Sequence, residues 1–300
     1  MSKNKETIER MTDKLIARME SGNLVWNKSW KSNVLPQNFI TRKPYKGWNL
    51  FATLYSEFES PYYLTFNQIT KLGGKVKKGS KGISILFWNI STKETIKDGE
   101  TKENKMFFAR EYTVFNAEQI EGIDFNIEVQ NQVEIGTCEE LESFIYNLES
   151  PLKIKHSESD RAFYTPTFDF VSMPNKNQFL STAEYYSVLS HETIHATGHS
   201  SRLNRLSMND GKFDNKKHSY SFEELVAEIG ASYLNAMFGI ATEESERNSA
   251  AYLQGWLKTF KENKEMLYKA SIEAQKAVDY ILKDKEPQEV EVKELDKALN

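Results

Sequence analysis

The pentapeptide His191-Glu192-Thr193-Ile194-His195 carries the clearest chemistry in the chain. Histidines four residues apart share one helical face, so both imidazoles can reach a single metal ion. Glu192 follows at the edge of that face, where a carboxylate can hold a water at the metal and take its proton. Four of the five histidines, at 191, 195, 199 and 218, are clustered in this part of the chain.

A catalytic zinc site needs three protein ligands and an open position. An HExxHxxGxxH pattern would place the third at position 201, which is Ser201, and His199 is displaced from it by two. The other source is a glutamate on a following helix, and Glu223-Glu224-Leu225-Val226-Ala227-Glu228 offers Glu224 and Glu228 on one face. One would bind the metal and the other would orient a histidine from behind. Glu224 is preferred, because E-x-x-A-[D/E] resembles the form other glutamate-zincins use. Ser221 with Glu224 also reads as a capping box, and in that case Glu228 becomes the ligand. His199, His218 and Tyr220 are read as surface residues or supports behind the ligands, with stabilisation of an oxyanion as the alternative. The donor set calls for one divalent ion, zinc first, and for hydrolysis of a peptide bond in an unidentified protein substrate.

These side chains need helices to hold them. Ser181 with Glu184 caps a helix that Gly198 closes, with Tyr185, Val188 and Leu189 on its apolar face. Ser221 is read as the start of another, running to about Phe238, and two further helical stretches cover roughly 243–283. Thr137 with Glu140 caps a helix to about Leu148, and Phe163 to Met173 suggests strands bent at Pro166. In the first half, Ile8, Met11, Leu15 and Met19 mark an amphipathic helix over 4–20. Thr65 with Gln68 opens a short one ending at Gly73. Segments 82–90 and 106–115 are β-rich and can pair across a polar loop at 91–105.

Charge divides the chain. Residues 1–125 hold 20 Lys and Arg against 14 Asp and Glu, a net of +6, and the remainder holds 19 against 29, a net of −10. Between Gly22 and Lys93 there are 11 basic residues and only two acidic ones, Glu57 and Glu59. Four of the five tryptophans, at 26, 30, 48 and 88, stand in that basic window. Basic grooves with interleaved aromatic rings are the vocabulary of single-stranded DNA binding. The candidate contacts are Trp26, Lys28, Trp30, Arg42, Lys43, Tyr45 and Lys46, with most other rings assigned to the core. The glycine-rich turn from Gly73 to Gly82 adds Lys75, Lys77, Lys78 and Lys81. It is no P-loop, because Ser80 stands where the phosphate-binding lysine belongs. A turn that contacts backbone phosphates fits better, beside the alternative of a merely solvated turn.

No apolar stretch reaches the ~20 residues of a membrane span. No apolar leader is visible, and one cysteine, Cys138, suits a reducing cytoplasm. The expected architecture is α+β in two domains. An N-terminal α+β single-stranded-DNA-binding domain with a small antiparallel sheet covers 1–125. A linker follows at 126–136, a mostly helical zincin-like metallopeptidase domain at 137–283, and a charged, disordered tail at 284–300.

Several segments together resemble the ArdC family of antirestriction proteins, over about 4 to 283. In the first half they are Lys43-Pro44-Tyr45-Lys46-Gly47-Trp48-Asn49, Tyr63 to Gln68, Gly73 to Gly82 and Tyr112 to Asn116. In the second they are Asp160 to Tyr164, Met173-Pro174, the run HETIHATGHSSRLNR and Glu223 to Ala231. The resemblance implies a single-stranded-DNA-binding domain joined to a zincin-like metallopeptidase, in a protein of plasmids and other mobile elements that shields incoming DNA from restriction. Trp48 stands where the family commonly has isoleucine, so it is either a DNA contact or a core residue. Two other readings fit the same residues: a DNA-coating module with a non-catalytic metal site, and a protease resembling SprT-like enzymes that acts on DNA-bound proteins.

Overall fold

The computed structural model describes residues 3–20, 35–97, 100–125, 139–206, 216–240 and 255–283, with the backbone course alone for 88–108 and 216–220. Trp26, Lys28, Trp30, the linker expected at 126–136, Thr137 and the tail at 284–300 lie outside the described residues.

The N-terminal half is built on a long ribbon. Strands β4 (Ile83–Lys97) and β5 (Glu100–Asn116) pair antiparallel from Ile83 opposite Val114 to Lys97 opposite Glu100. The stretch expected as a polar loop at 91–105 is therefore mostly strand. Ladder bonds use backbone groups alone, and the β-branched Thr92, Thr95, Ile96 and Thr101 suit an extended chain. Strand β2 (Tyr62–Thr65) joins β5 antiparallel, and β1 (Gln37–Asn38) joins β2 parallel, giving the order β1-β2-β5-β4. A second pair, β3 (Lys75–Val76) with β6 (Ile120–Glu121), closes the glycine-rich turn.

Helix α1 (Lys3–Glu20) buries Met11, Leu15, Ile16 and Met19, as its periodicity predicts. Glu111 on β5 ties it down, accepting from Arg10 at 2.9 Å and Lys14 at 2.5 Å. Helix α2 (Gly47–Leu54) docks on the sheet edge through Asn49, whose amide donates to Leu86 O (2.8 Å) and accepts from Leu86 N (2.7 Å). Helix α3 (Phe66–Lys71) opens with the expected capping box of Thr65 and Gln68.

The second half contains α4 (Glu139–Tyr146), a three-stranded sheet and a helical layer. In the sheet β7 (Lys153–Ser157) runs parallel to β9 (Phe170–Pro174), and β8 (Phe163–Thr165) antiparallel to it. The layer comprises α5 (Thr182–Thr197), α6 (Lys216–Met237), a short helix over 255–262 and α7 (Lys264–Leu282). Among the described residues no helix is long and apolar enough to cross a membrane.

One continuous core runs through both halves. Met11, Trp48 and Phe51 belong to the same buried cluster as Leu189, Leu225 and Leu267. Trp48 is thus a core residue, 4 % exposed. At the junction Gly47 has φ +53°, donates its N–H to Gln275 (2.8 Å), and accepts from the Tyr233 hydroxyl (2.9 Å).

Candidate metal centre and basic face

Helix α5 starts where Ser181 accepts the Glu184 N–H at 3.1 Å and turns a tyrosine- and leucine-rich face inward. Helix α6 crosses it closely. A β-carbon on Gly230 would lie 2.8–3.1 Å from three side-chain atoms of Ile194, so glycine is needed for the approach. That crossing brings the acidic stretch of α6 against the histidines of α5.

His191, His195 and Glu224 come together there, each offering one ligand atom, all within 4.8 Å of one another. The two Nε2 atoms are 3.1 Å apart, Glu224 Oε1 is 3.5 Å from His195 Nε2, and Glu224 Oε2 is 3.7 Å from His191 Nε2. Ligand atoms at ~2.0–2.1 Å from a tetrahedral ion stand roughly 3.3–3.4 Å apart, so the three side chains fit a zinc-sized cation. The surroundings favour positive charge. Burial works against a charged His191, yet its hydrogen bond to Glu224 and the charges of Glu228, Glu192 and Glu224 outweigh that and raise its pKa. Glu192 is buried, 8 % exposed.

Behind His195 is a residue to which the motif assigns no role. Glu223 Oε1 lies 3.5 Å from His195 Nδ1. Arg205, 3 % exposed, grips both oxygens of Glu223 at 2.8 and 2.6 Å and also donates to Ile194 O (2.9 Å). Burial pushes the Glu223 carboxyl up, but the hydrogen bonds from Arg205 and His195 outweigh it and hold the carboxyl below the usual range. At His195 Glu223 stands where an orienting carboxylate is expected, and the charge of Glu228 contributes to raising the His191 pKa. The one available signal was the run of two glutamates, since a residue beside a ligand on a helix faces the next quadrant. Ser221 lies inside α6, not at its start, so the capping-box reading of Glu224 does not apply.

His199 lies outside the three-ligand group. Its Nδ1 is 2.8 Å from Ser201 Oγ and 3.7 Å from Asp169 Oδ2. Asp169 also pairs with Arg202, whose side chain is fully buried. Burial raises the Asp169 carboxyl, but hydrogen bonds from Arg202 and Tyr164 more than offset this and lower it. The side chains of His218 and Tyr220 lie outside the described residues.

The N-terminal candidates divide. Arg42, Lys43, Lys75, Lys77, Lys78 and Lys81 are exposed. Lys77 Nζ donates to Glu118 O at 2.7 Å, and Lys46 lies 3.7 Å from Asp279 of α7. Tyr45, expected among the DNA contacts, is instead a core residue. It is 6 % exposed and packs edge-on against Tyr63 in the core, so it has no face on which a base could stack.

Residues 5–115 match the family model described as the N-terminal domain of anti-restriction factor ArdC, and residues 139–273 match that of a zincin-like metallopeptidase. The metal-free crystal structure of the antirestriction ArdC protein from plasmid R388 is 35% identical, with a TM-score of 0.70 over 92% of this chain and 96% of that one. The Mn(II)-bound structure of the same protein gives 34% identity and a TM-score of 0.67 over 92% and 97%. A DNA primase TraC from Escherichia coli is 32% identical over 91% of this chain, and an uncharacterized protein, y4eC, of Sinorhizobium fredii is 29% identical over 91% of this chain and 90% of its own length. The chain spans 27% of that primase, and 20% of a second TraC primase. Both halves match in order, and a solved relative is covered almost end to end: the chain belongs to the ArdC family of antirestriction proteins, with a zincin-like C-terminal domain.

Proposed function

We propose that this chain is an antirestriction protein of a mobile element that binds single-stranded DNA through its N-terminal half and hydrolyses peptide bonds at a metal centre in its C-terminal half. The observation that carries the reading is the convergence of His191, His195 and Glu224 on one point beside the buried Glu192. His191, His195 and Glu224 would hold one divalent ion. Zinc suits the two-imidazole, one-carboxylate set, and the R388 relative is known in a Mn(II)-bound structure, which supports a divalent ion. When bound, the ion supplies Lewis acidity toward the scissile carbonyl. Glu192 takes the proton of the attacking water on its carboxylate and delivers it to the leaving amine. Glu223, clamped by Arg205, keeps the His195 ring oriented through Nδ1. The N-terminal half supplies the cationic surface. The working site is the cytoplasm.

The test is proteolysis of casein and of DNA-bound proteins by the full chain, with and without single-stranded DNA and chelator. Wild type should cleave only with metal, and Glu192→Gln should retain the metal but not cleave. Metal-loaded wild type that cleaves nothing, yet coats DNA, would leave the site non-catalytic. A Glu192→Gln protein that loses its metal would overturn the division of roles.

A further inference from the structure

The aromatic candidates of the basic window do not show where bases stack. Trp26 and Trp30 lie outside the described residues, and Tyr45 is in the core. A different pair of groups is presented at the surface of this half.

The first is Arg42. Its backbone is left-handed, with φ +57°, an unusual state for a residue with a side chain. The loop before it is wound tightly. Asn38 Oδ1 accepts from Ile40 N (3.1 Å) and Thr41 N (3.2 Å), and Arg42 N donates to Asn38 O (2.9 Å). This geometry lays the guanidinium over two rings, 4.3 Å from the Phe39 centroid and 4.5 Å from that of Tyr62. The rings meet edge to face at 5.3 Å, and Arg42 itself is exposed. The second group is Phe66, 60 % exposed at the start of α3. The two are mechanically linked. Asn38 Nδ2 donates to Gln68 Oε1 at 3.0 Å, and the same oxygen accepts from Thr65 N at 2.8 Å in the box that opens α3.

Along the chain, the segment that contains Phe66 carries charge of one sign over a long stretch. No acidic residue occurs between Glu59 and Glu94, while Lys71, Lys75, Lys77, Lys78 and Lys81 all fall there. The partners of this turn come from β6 and the residues before it. Lys75 pairs in register with Glu121, and Lys77 is tethered to the Glu118 carbonyl, which fixes the turn while Lys78 and Lys81 stay exposed. Exposed ring and guanidinium faces, followed in the chain by a run of exposed lysines, match what single-stranded nucleic acid needs: platforms for bases and charge for phosphates.

We propose that Arg42, laid over Phe39 and Tyr62, and the exposed ring of Phe66 are the base-stacking platforms for single-stranded DNA, with Lys78 and Lys81 taking its phosphates. The proposal rests on the reading that this half binds single-stranded DNA, and the test separates the two.

Binding of fluorescently labelled oligothymidylate by the full chain is measured by anisotropy across a salt series. Phe66→Ala should weaken binding about 5- to 150-fold, the range expected for one stacked base, without changing the salt slope, since every lysine that faces a phosphate is still in place. Arg42→Lys keeps the charge and should also weaken binding. Phe66→Trp should restore affinity, with its fluorescence quenched by the oligonucleotide. Lys78→Ala with Lys81→Ala should reduce the salt slope by ~0.7 for each phosphate no longer neutralised. Wild-type affinity in both Phe66→Ala and Arg42→Lys would overturn the platform while leaving DNA binding intact. A wild-type chain that binds no oligothymidylate at low salt would instead overturn the DNA-binding reading itself.

Discussion

Replacing Gly230 by alanine tests whether the crossing of α5 and α6 sets the geometry of the metal centre. The new methyl carbon would meet Ile194 Cδ1, Cγ1 and Cγ2 at 2.8, 3.0 and 3.1 Å. Carbon atoms rest ~3.5–4.0 Å apart, so the helices must separate by roughly 0.5–1 Å. Rotation of Ile194 relieves little, because two of the three contacts are to atoms on Cβ of a β-branched residue, which is stiff in a helix. Two effects oppose each other. Alanine is intrinsically better in a helix than glycine, by about 1 kcal/mol. Overpacking costs about 1–3 kcal/mol, so the net change is destabilising. The sharper consequence is at the ligands. The separations of 3.5 and 3.7 Å between Glu224 and the two imidazoles already lie at the wide end for one small ion. A further shift of ~0.5–1 Å carries them from slightly above the tetrahedral spacing of roughly 3.3–3.4 Å to well beyond it.

Metal affinity of Gly230→Ala, measured by chelator competition, should therefore fall at least about tenfold, equivalent to ~1.4 kcal/mol, while the circular dichroism of the apoprotein stays native. Ile194→Ala on its own opens a cavity, but in the double variant it removes all three clashing atoms. The pair should then be less damaging than the sum, with a coupling of about 0.5–3 kcal/mol. Wild-type metal affinity in Gly230→Ala, or strictly additive effects, would refute the claim that this close approach holds Glu224 in range.

Elemental analysis of two variants divides the glutamates: Glu224→Ala should come out empty, and Glu228→Ala should keep its metal with affinity reduced by the missing charge at His191. Glu223→Gln should retain the fold and lose metal affinity by ~10–100-fold, as expected for a group that orients a ligand from behind; unchanged affinity would remove it from the site. The Glu111 carboxyl is raised by burial but lowered further by Lys14, Ser84 and Arg10, so its net shift is downward. Its contribution to docking α1 should be complete above the ordinary carboxylate pKa and disappear as pH falls through the lowered one, and Glu111→Gln should flatten that acid limb in thermal melts. A fragment of residues 1–125 should lack a cooperative melt, because it loses the α7 wall of the shared core; a sharp transition in differential scanning calorimetry would count against that.

The legibility of the sequence followed the range of each interaction. The His191 and His195 pairing is local to one helix turn, and so are the Thr65 and Ser181 caps, and all are readable from spacing alone. Glu223 and Arg205 are not, because their meeting at His195 depends on α6 crossing α5 at Gly230, a relation between segments that no periodicity encodes. The ribbon at 91–105 escapes for the opposite reason. Its ladder uses backbone groups that every residue has, so polar side chains hide it. Aromatic composition marks the basic window but cannot separate Tyr45, 6 % exposed, from Phe66, 60 % exposed. What decides between them is the neighbouring backbone: Tyr45 precedes the turn into α2 and faces Tyr63, whereas Phe66 starts a short helix whose buried face is supplied by Gln68 and Ile69. The charge division between the halves is equally visible and equally incomplete. Net charge reports on partners in solution, not on packing. A basic half and an acidic half can therefore share one core, and here they do, joined where Tyr233 of the glutamate-bearing helix donates to the backbone of Gly47.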